Sequence, residues 1–331
     1  MSPVDEIRWG IVGPGRIAES VIGDFRHVPA ARPVAVGSRS IERARAFADK
    51  HRLERAYGSY DELINDDDVD ALYIATPHPQ HLHPALAAIK AGKAVLIEKT
   101  FTATVAGAEE IIRAARDHQV FAMEAMWTRF QPAIVAVREL IAEGAIGEVR
   151  QVYADLGVDR PFDPQDRLFN PDLGGGAMLD LGVYVVSFAQ HFLGNPDWVE
   201  VSGSLTPTGV DAEAGLLLGY EDGRAATLLM SLRHPTPGMA RIHGTEGWIE
   251  VPPRFHHPHH ILLQRTGGEP EVIRRPPSGT GYSHELIEVT ECLVDGRTES
   301  EVMPLDDTLA VQRILNEACE SLGVYHYEAS T

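Results

Sequence analysis

The sequence predicts an α/β protein in two domains. Residues 1–124 read as a doubly wound parallel sheet. Residues 125–331 read as an α+β domain with a large, mainly antiparallel, open-faced sheet. Three observations carry this. Apolar runs alternate with amphipathic stretches through the first third of the chain. A glycine-rich turn, GPGRIA (Gly13–Ala18), sits between the first apolar run and the first amphipathic stretch. The remainder carries long strand-like runs closed by two helical segments. At 331 residues the chain is long for a single core, which favours two domains.

Ile7–Val12 is apolar and reads as a buried strand, followed by a helix over Arg16–Phe25. Pro33–Gly37 is a second strand. Ile41–His51 is a helix, with Ser40 placed to cap it. Ala71–Ala75 is a strand, and His81–Ala91 a helix stopped by Gly92. Ala94–Ile97, Val105–Asp117 and Val120–Glu124 continue as strand, helix and strand. Such alternation means parallel strands covered on both faces. Gln131–Glu143 is an amphipathic helix ending at Gly144. Strands then follow at Val149–Gly157, Trp198–Thr206, Ala214–Tyr220, Ala225–Arg233, Arg241–His243 and Trp248–Val251. YEDGRA (Tyr220–Ala225) supplies a hairpin turn. Ile261–Gln264 and Glu271–Arg274 pair at the edge, and helices at Ser283–Asp295 and Leu305–Leu322 close the chain. A sheet with helices on one face leaves the other open, a surface suited to a homodimer or homotetramer.

A formal charge of −19 argues against nucleic acid or an anionic membrane surface as partner. It leaves room for a small anionic cofactor in a local cationic pocket. The two cysteines, Cys292 and Cys319, suggest a reducing compartment. MSPVDEIRWGIVG has no basic n-region or long apolar h-region. No apolar run approaches the length of a bilayer span, so a cytoplasmic protein is expected.

In GPGRIA, Gly13 permits the tight turn and Gly15 lets backbone approach a pyrophosphate. Arg16 and Ile17 open the helix beside it, and Ala18 lets helix and strand pack closely. This is the Rossmann dinucleotide fingerprint with Ala in its last slot, in the strand–turn–helix setting the motif requires. The second strand ends in GSRS (Gly37–Ser40), with Arg43 one turn on. Where NAD-binding chains usually carry a carboxylate for the ribose 2′-hydroxyl, Ser38, Arg39 and Arg43 would welcome a 2′-phosphate. NADP is therefore the expected cofactor. The alternative is a solvated Arg39 and an enzyme that takes NAD as well.

Open parallel sheets bind ligands beyond the carboxyl ends of their strands. TPHPQHLH (Thr76–His83), EKT (Glu98–Thr100) and EAMWTRFQP (Glu124–Pro132) fall on that rim. Thr76, Pro77, His78, His81, Glu98, Lys99, Trp127 and Arg129 are thereby cofactor candidates. Lys99 is the sharpest: a partly desolvated lysine acts as a fixed charge or a proton partner, unless it simply snorkels to the surface. The histidines near His81 lack a Cys or carboxylate to complete a ligand set, so no metal is expected there. HHPHH (His256–His260) reads as an exposed loop and strand edge. The loop Gly157–Gly176 is long and polar. It reads as a substrate-binding loop with Arg160 as a candidate, or as a solvated connection. GGGAMLDLGVY (Gly174–Tyr184) runs three glycines into a helix that carries Asp180 and Tyr184 one turn apart. By residue type alone they are a helix cap and a core tyrosine, or two groups aimed at a substrate.

GPGRIA, TPHPQH, Glu98–Lys99, MWTRFQP and GGGAMLDLGVY, in this order and spacing, resemble the glucose-fructose oxidoreductase / inositol dehydrogenase (Gfo/Idh/MocA) family over most of the chain. The last two segments are most similar to the branch with dihydrodiol dehydrogenases and NADP-dependent D-xylose dehydrogenases. The resemblance implies that Lys99 is the lysine of the family's Glu-Lys-Pro motif, at the nicotinamide and substrate. Thr100 stands where Pro is usual. Asp180 matches the Asp of the Asp-x-x-x-His motif, and Tyr184 falls where most members have the catalytic His and dihydrodiol dehydrogenases have Tyr. Trp127 and Arg129 match residues lining the nicotinamide and substrate pocket.

The expected activity is NADP-dependent hydride transfer to or from a sugar, polyol or cyclic diol. Tyrosine is a poor base at neutral pH, and a nearby ammonium favours its phenolate. Tyr184 is thus expected as acid/base, with Lys99 tuning it and binding the reacting oxygen, and Asp180 positioning substrate. Alternatively Lys99 moves the proton. Other readings are a sugar–sugar oxidoreductase with tightly bound cofactor, and a non-catalytic dinucleotide-sensing regulator.

Overall fold

The computed structural model describes residues 6–329; Met1–Asp5 of the opening stretch and the last two residues lie outside it. The described chain divides into two compact units. One holds residues up to 126 together with 278–309 and the stretch from 328. The other holds residues 127–277 and 310–327.

The first unit is a six-stranded parallel sheet in the order β3-β2-β1-β4-β5-β6. Its strands are β1 Ile7–Val12, β2 Ala31–Gly37, β3 Arg55–Tyr57, β4 Ala71–Ile74, β5 Ala94–Glu98 and β6 Ala122–Ala125. β4, β5 and β6 are buried at every position, as expected for strands covered on both faces. The helices are α1 Arg16–Val21, α2 Ile41–His51, α3 Tyr60–Ile64, α4 Leu82–Lys90 and α5 Val105–His118. Ser40 caps α2, its Oγ accepting from Arg43 N at 3.3 Å, and Thr104 caps α5 through Gly107 N at 3.0 Å. The helix expected over Arg16–Phe25 is shorter: α1 tightens into 3₁₀ turns over Ile22–His27. The apolar pattern does not announce β3 and α3. At three and five residues they show too little periodicity to read.

The second unit begins with α6 Pro132–Ala142 and is built on an eight-stranded sheet. Its strands are β7 Val149–Gly157, β8 Trp198–Leu205, β9 Asp211–Gly219, β10 Ala225–Ser231, β11 Ala240–Gly244, β12 Gly247–Val251, β13 His260–Arg265 and β14 Glu271–Arg274. The order is β14-β13-β12-β11-β7-β10-β9-β8, antiparallel except for the parallel pair β7–β10. α7, Val183–Leu193, packs on β7 and β10. α8 (Ser283–Val294) belongs to the first unit, and α9 (Leu305–Ser321) runs from the first unit into the second.

Pro171–Leu193 is long and apolar enough, by length and composition alone, to cross a membrane. Most of it is buried within the protein, because α7 is the core helix against the sheet.

Candidate active site

In the first unit, the site candidates sit at the carboxyl ends of the parallel strands. Gly13 adopts φ +91, a conformation that L side chains rarely take, and a Cβ there would also press on Thr76 Cγ2 at 3.2 Å. Gly15 is the N-cap of α1 and contributes no side chain to the turn. Arg16 is exposed and Ile17 half-buried beside it. At the end of β2, buried Ser38 accepts from Ser40 N at 3.2 Å, and the Ser40 hydroxyl donates to Glu42 at 2.7 Å. Arg39 and Arg43 are exposed and converge on one phenol. Burial pushes the Tyr60 hydroxyl up, and both guanidiniums oppose that shift. The turn and the paired cations suit a dinucleotide carrying an extra phosphate.

Behind this rim lies a buried scaffold. Thr76 Oγ1 donates to Gln80 O at 3.2 Å, and Pro77 leads into the 3₁₀ turn His78–Gln80. His81 is fully buried. Its Nε2 lies 2.7 Å from Thr76 O, and its Nδ1 3.1 and 3.2 Å from Thr100 O and Phe101 O. The ring therefore ties the loop after β4 to the loop after β5. His78, also buried, meets it edge-on at 6.0 Å. Glu98 is likewise a support. One carboxylate oxygen takes the Tyr73 hydroxyl, and the other takes Lys99 N at 3.2 Å. Lys99 itself is half-buried, and its peptide bond to Thr100 is cis. Glu285, fully buried, was missed by sequence reading. Burial first, then Glu98 and Asp24, push its carboxyl well above the usual range.

In the second unit, the segment expected to carry Asp180 and Tyr184 is not one regular helix. Met178–Gly182 forms a π-type turn before α7. Such turns recur at functional sites. Gly176, at φ +123, lets this turn start directly against Asp211. Asp180 pairs with Arg167 Nη2 at 2.9 Å, so the loop's contribution to Asp180 is Arg167. The expected loop residue, Arg160, is exposed, and its backbone N bonds Leu232 O at 2.9 Å.

Tyr184 accepts the indole N–H of Trp127 at 3.2 Å. The ring of His256 lies 5.1 Å from Tyr184, and His257 stacks on Trp127 at 5.2 Å with planes 29° apart. These two histidines are half-buried, which corrects the expectation of an exposed loop. Thr128 Oγ1 fixes the backbone here by donating to His256 O at 2.9 Å. Burial first, then the charge of Arg254, lower His257 to about 4, so it is neutral at neutral pH. Arg129 is buried, with its guanidinium donating to Ser187 Oγ at 3.3 Å and Gln190 Oε1 at 2.6 Å. It anchors the 3₁₀ segment Trp127–Phe130 to α7 and does not present its charge to solvent.

Residues 7–126 match the model of an oxidoreductase family with an NAD-binding Rossmann fold, and residues 134–250 match the GFO/IDH/MocA C-terminal domain. The chain is 36% identical over 326 residues to a trans-1,2-dihydrobenzene-1,2-diol dehydrogenase of Xenopus tropicalis, covering 96% of this chain and 98% of that one. The human protein of the same name is 35% identical over 330 residues, covering 96% and 97%. Among solved structures, an aldose–aldose oxidoreductase from Caulobacter crescentus superposes with TM-score 0.87 at 26% identity, covering 96% and 98%. A 3-ketoreductase from Actinomadura kijaniata, in complex with NADP and TDP-benzene, superposes with TM-score 0.83 at 25% identity, covering 98% and 100%.

Proposed function

We propose that this chain, which belongs to the Gfo/Idh/MocA family and is an NAD(P)-dependent dehydrogenase or reductase, moves a hydride between NADP and a hydroxyl-bearing carbon of a cyclic diol, sugar or polyol. The names of the relatives support that substrate class. The Arg39–Arg43 pair supports NADP over NAD. The residues to hold the dinucleotide are Gly13, Gly15, Arg16 and Ile17 at its pyrophosphate, and Ser38, Arg39 and Arg43 at its 2′-phosphate. When bound, the nicotinamide takes or gives the hydride.

The proton is the task of Tyr184, and one observation carries this reading. Its oxygen accepts the Trp127 indole N–H, and a hydrogen bond to the charged form favours phenolate. Lys99 supplies a cation that favours phenolate further and binds the reacting oxygen. Asp180, oriented by Arg167, positions substrate. The rings of His256 and His257, the latter neutral, give that surface an aromatic wall, suited to a planar ring substrate. The homo-oligomer forms through the outer face of the eight-stranded sheet.

The test is NADP⁺ reduction followed by absorbance against aldoses, polyols and cyclic diols, with Tyr184→Phe, Lys99→Met and Arg39→Asp in parallel. Tyr184→Phe is expected to lose about a hundredfold or more in kcat; near-normal turnover removes the proton role from Tyr184. Retained NADP preference in Arg39→Asp removes the cofactor assignment. The likeness to an aldose–aldose oxidoreductase favours a second reading, with the cofactor permanently bound and hydride shuttled between two sugars. Cofactor that co-elutes in gel filtration and is reoxidised by a second sugar supports it.

A further inference from the structure

Within the second unit, three ligand-type side chains meet away from Tyr184. Asp211 opens β9, Cys319 lies in the last turns of α9, and His326 follows that helix. One ligand atom from each falls within 4.8 Å of the other two. All three residues are buried, at 0%, 1% and 8% exposure. Asp211 Oδ1 and His326 Nε2 have no hydrogen-bond partner, although both are shut away from solvent. Leaving buried polar atoms unpaired costs about 1–3 kcal/mol each, so the arrangement calls for something to occupy it. The other carboxylate oxygen is already fixed, accepting Met178 N at 2.6 Å.

We propose that Asp211, Cys319 and His326 form a binding site for one zinc-class divalent cation. A carboxylate, a thiolate and a neutral imidazole balance a double positive charge, so the loaded site is electrically neutral in a buried setting. The mixed S, N and O donor set selects zinc over magnesium or calcium. Three protein ligands leave the fourth tetrahedral position to water. Coordination releases the thiol proton of Cys319 to solvent, and that of Asp211 when its carboxyl is protonated. Burial raises Asp211 to about 6 and Cys319 well above the usual thiol range, and lowers His326 to about 4. Because Asp211 also holds the amide that opens the π-type turn, the cation ties the C-terminal segment to the turn bearing Asp180, just ahead of the helix bearing Tyr184.

Cobalt titration of the purified full-length protein tests this, since Co²⁺ reports both thiolate ligation and tetrahedral geometry. The expected result is a thiolate-to-cobalt charge-transfer band that saturates at about one equivalent per chain and is displaced by Zn²⁺. It is expected to survive Cys292→Ala and to vanish in Cys319→Ala. Cobalt held only by surface histidines gives no such band. A wild-type protein without the band overturns the proposal, whether or not the variants fold. A band that persists in Cys319→Ala overturns it as well. As a second readout, Zn²⁺ is expected to raise the melting temperature of the wild type and not that of folded Cys319→Ser or His326→Asn. An equal rise in those variants overturns the assignment.

Discussion

Trp127 shows how one residue serves two neighbours. Its indole N–H reaches the Tyr184 oxygen, while its ring face carries His257. Trp127→Phe keeps most of the apolar area and deletes the donor. The expected outcome is a fall in kcat/KM of about tenfold, equivalent to about 1.4 kcal/mol, with folding intact. Steady-state kinetics beside a denaturation curve check it; unchanged kinetics would show that the indole bond does not serve the reaction. His257 makes a second prediction, on stability against pH. Its folded value of about 4 lies below the ordinary 6.5. Between these values the unfolded chain binds the extra proton, so the stability held by the neutral ring is present above about pH 6.5 and lost as pH falls toward 4. Because the ring is only half-buried, the contribution is discounted to about 1 kcal/mol. Urea denaturation at neutral and mildly acidic pH is expected to show a smaller acid loss in His257→Gln than in the wild type.

At the scale of elements, Asp24 closes the first unit. It sits in the 3₁₀ turns after α1 and is 1% exposed. Its carboxylate accepts backbone N–H groups from Thr280 at 2.9 Å, Tyr282 at 2.9 Å and Ser283 at 3.2 Å, at the start of α8. These are charge-assisted bonds to the amides that lead into a helix. Asp24→Ala strands those amides, buried at Ser283 and part-buried at Thr280 and Tyr282, and is expected to cost about 2–4 kcal/mol by chemical denaturation. A loss below 1 kcal/mol would mean that water replaces the carboxylate there. The cap at Ser40 is readable from residue type and spacing, and Ser59 and Thr104 cap α3 and α5 in the same way. The Asp24 cap is not readable so, because donor and acceptor lie at opposite ends of the chain.

At the scale of the whole molecule, strand register sets what the outer face of the eight-stranded sheet presents. Trp198 pairs with Gly219, Leu217 faces Thr227, and Leu229 faces Gly215, so all three large side chains stand on one face. They are 46%, 41% and 43% exposed. Gly219 leaves the space over which the Trp198 ring lies. If this face is the proposed oligomer interface, Leu217→Arg combined with Leu229→Arg is expected to reduce the assembly to monomers in size-exclusion chromatography with light scattering. An unchanged mass rules the face out.

Much of the molecule is legible from the chain alone. Strand–helix alternation, the GPGRIA turn with its left-handed Gly13, and the cap residues are local signals written in period and side-chain type. Those signals determined the parallel sheet, the mainly antiparallel second sheet and the segments that carry the candidate chemistry. Tertiary structure decided which side chains meet. It turned His81, Glu98 and Arg129 inward as supports, brought Arg167 to Asp180, and laid His256 and His257 against Tyr184 and Trp127. It also returned residues 278–309 to the first unit. The physical reason is range. Hydrophobic period and turn chemistry act over a few residues, whereas a buried polar group takes whichever partner the packed core brings within bonding distance, and no spacing in the sequence records that distance.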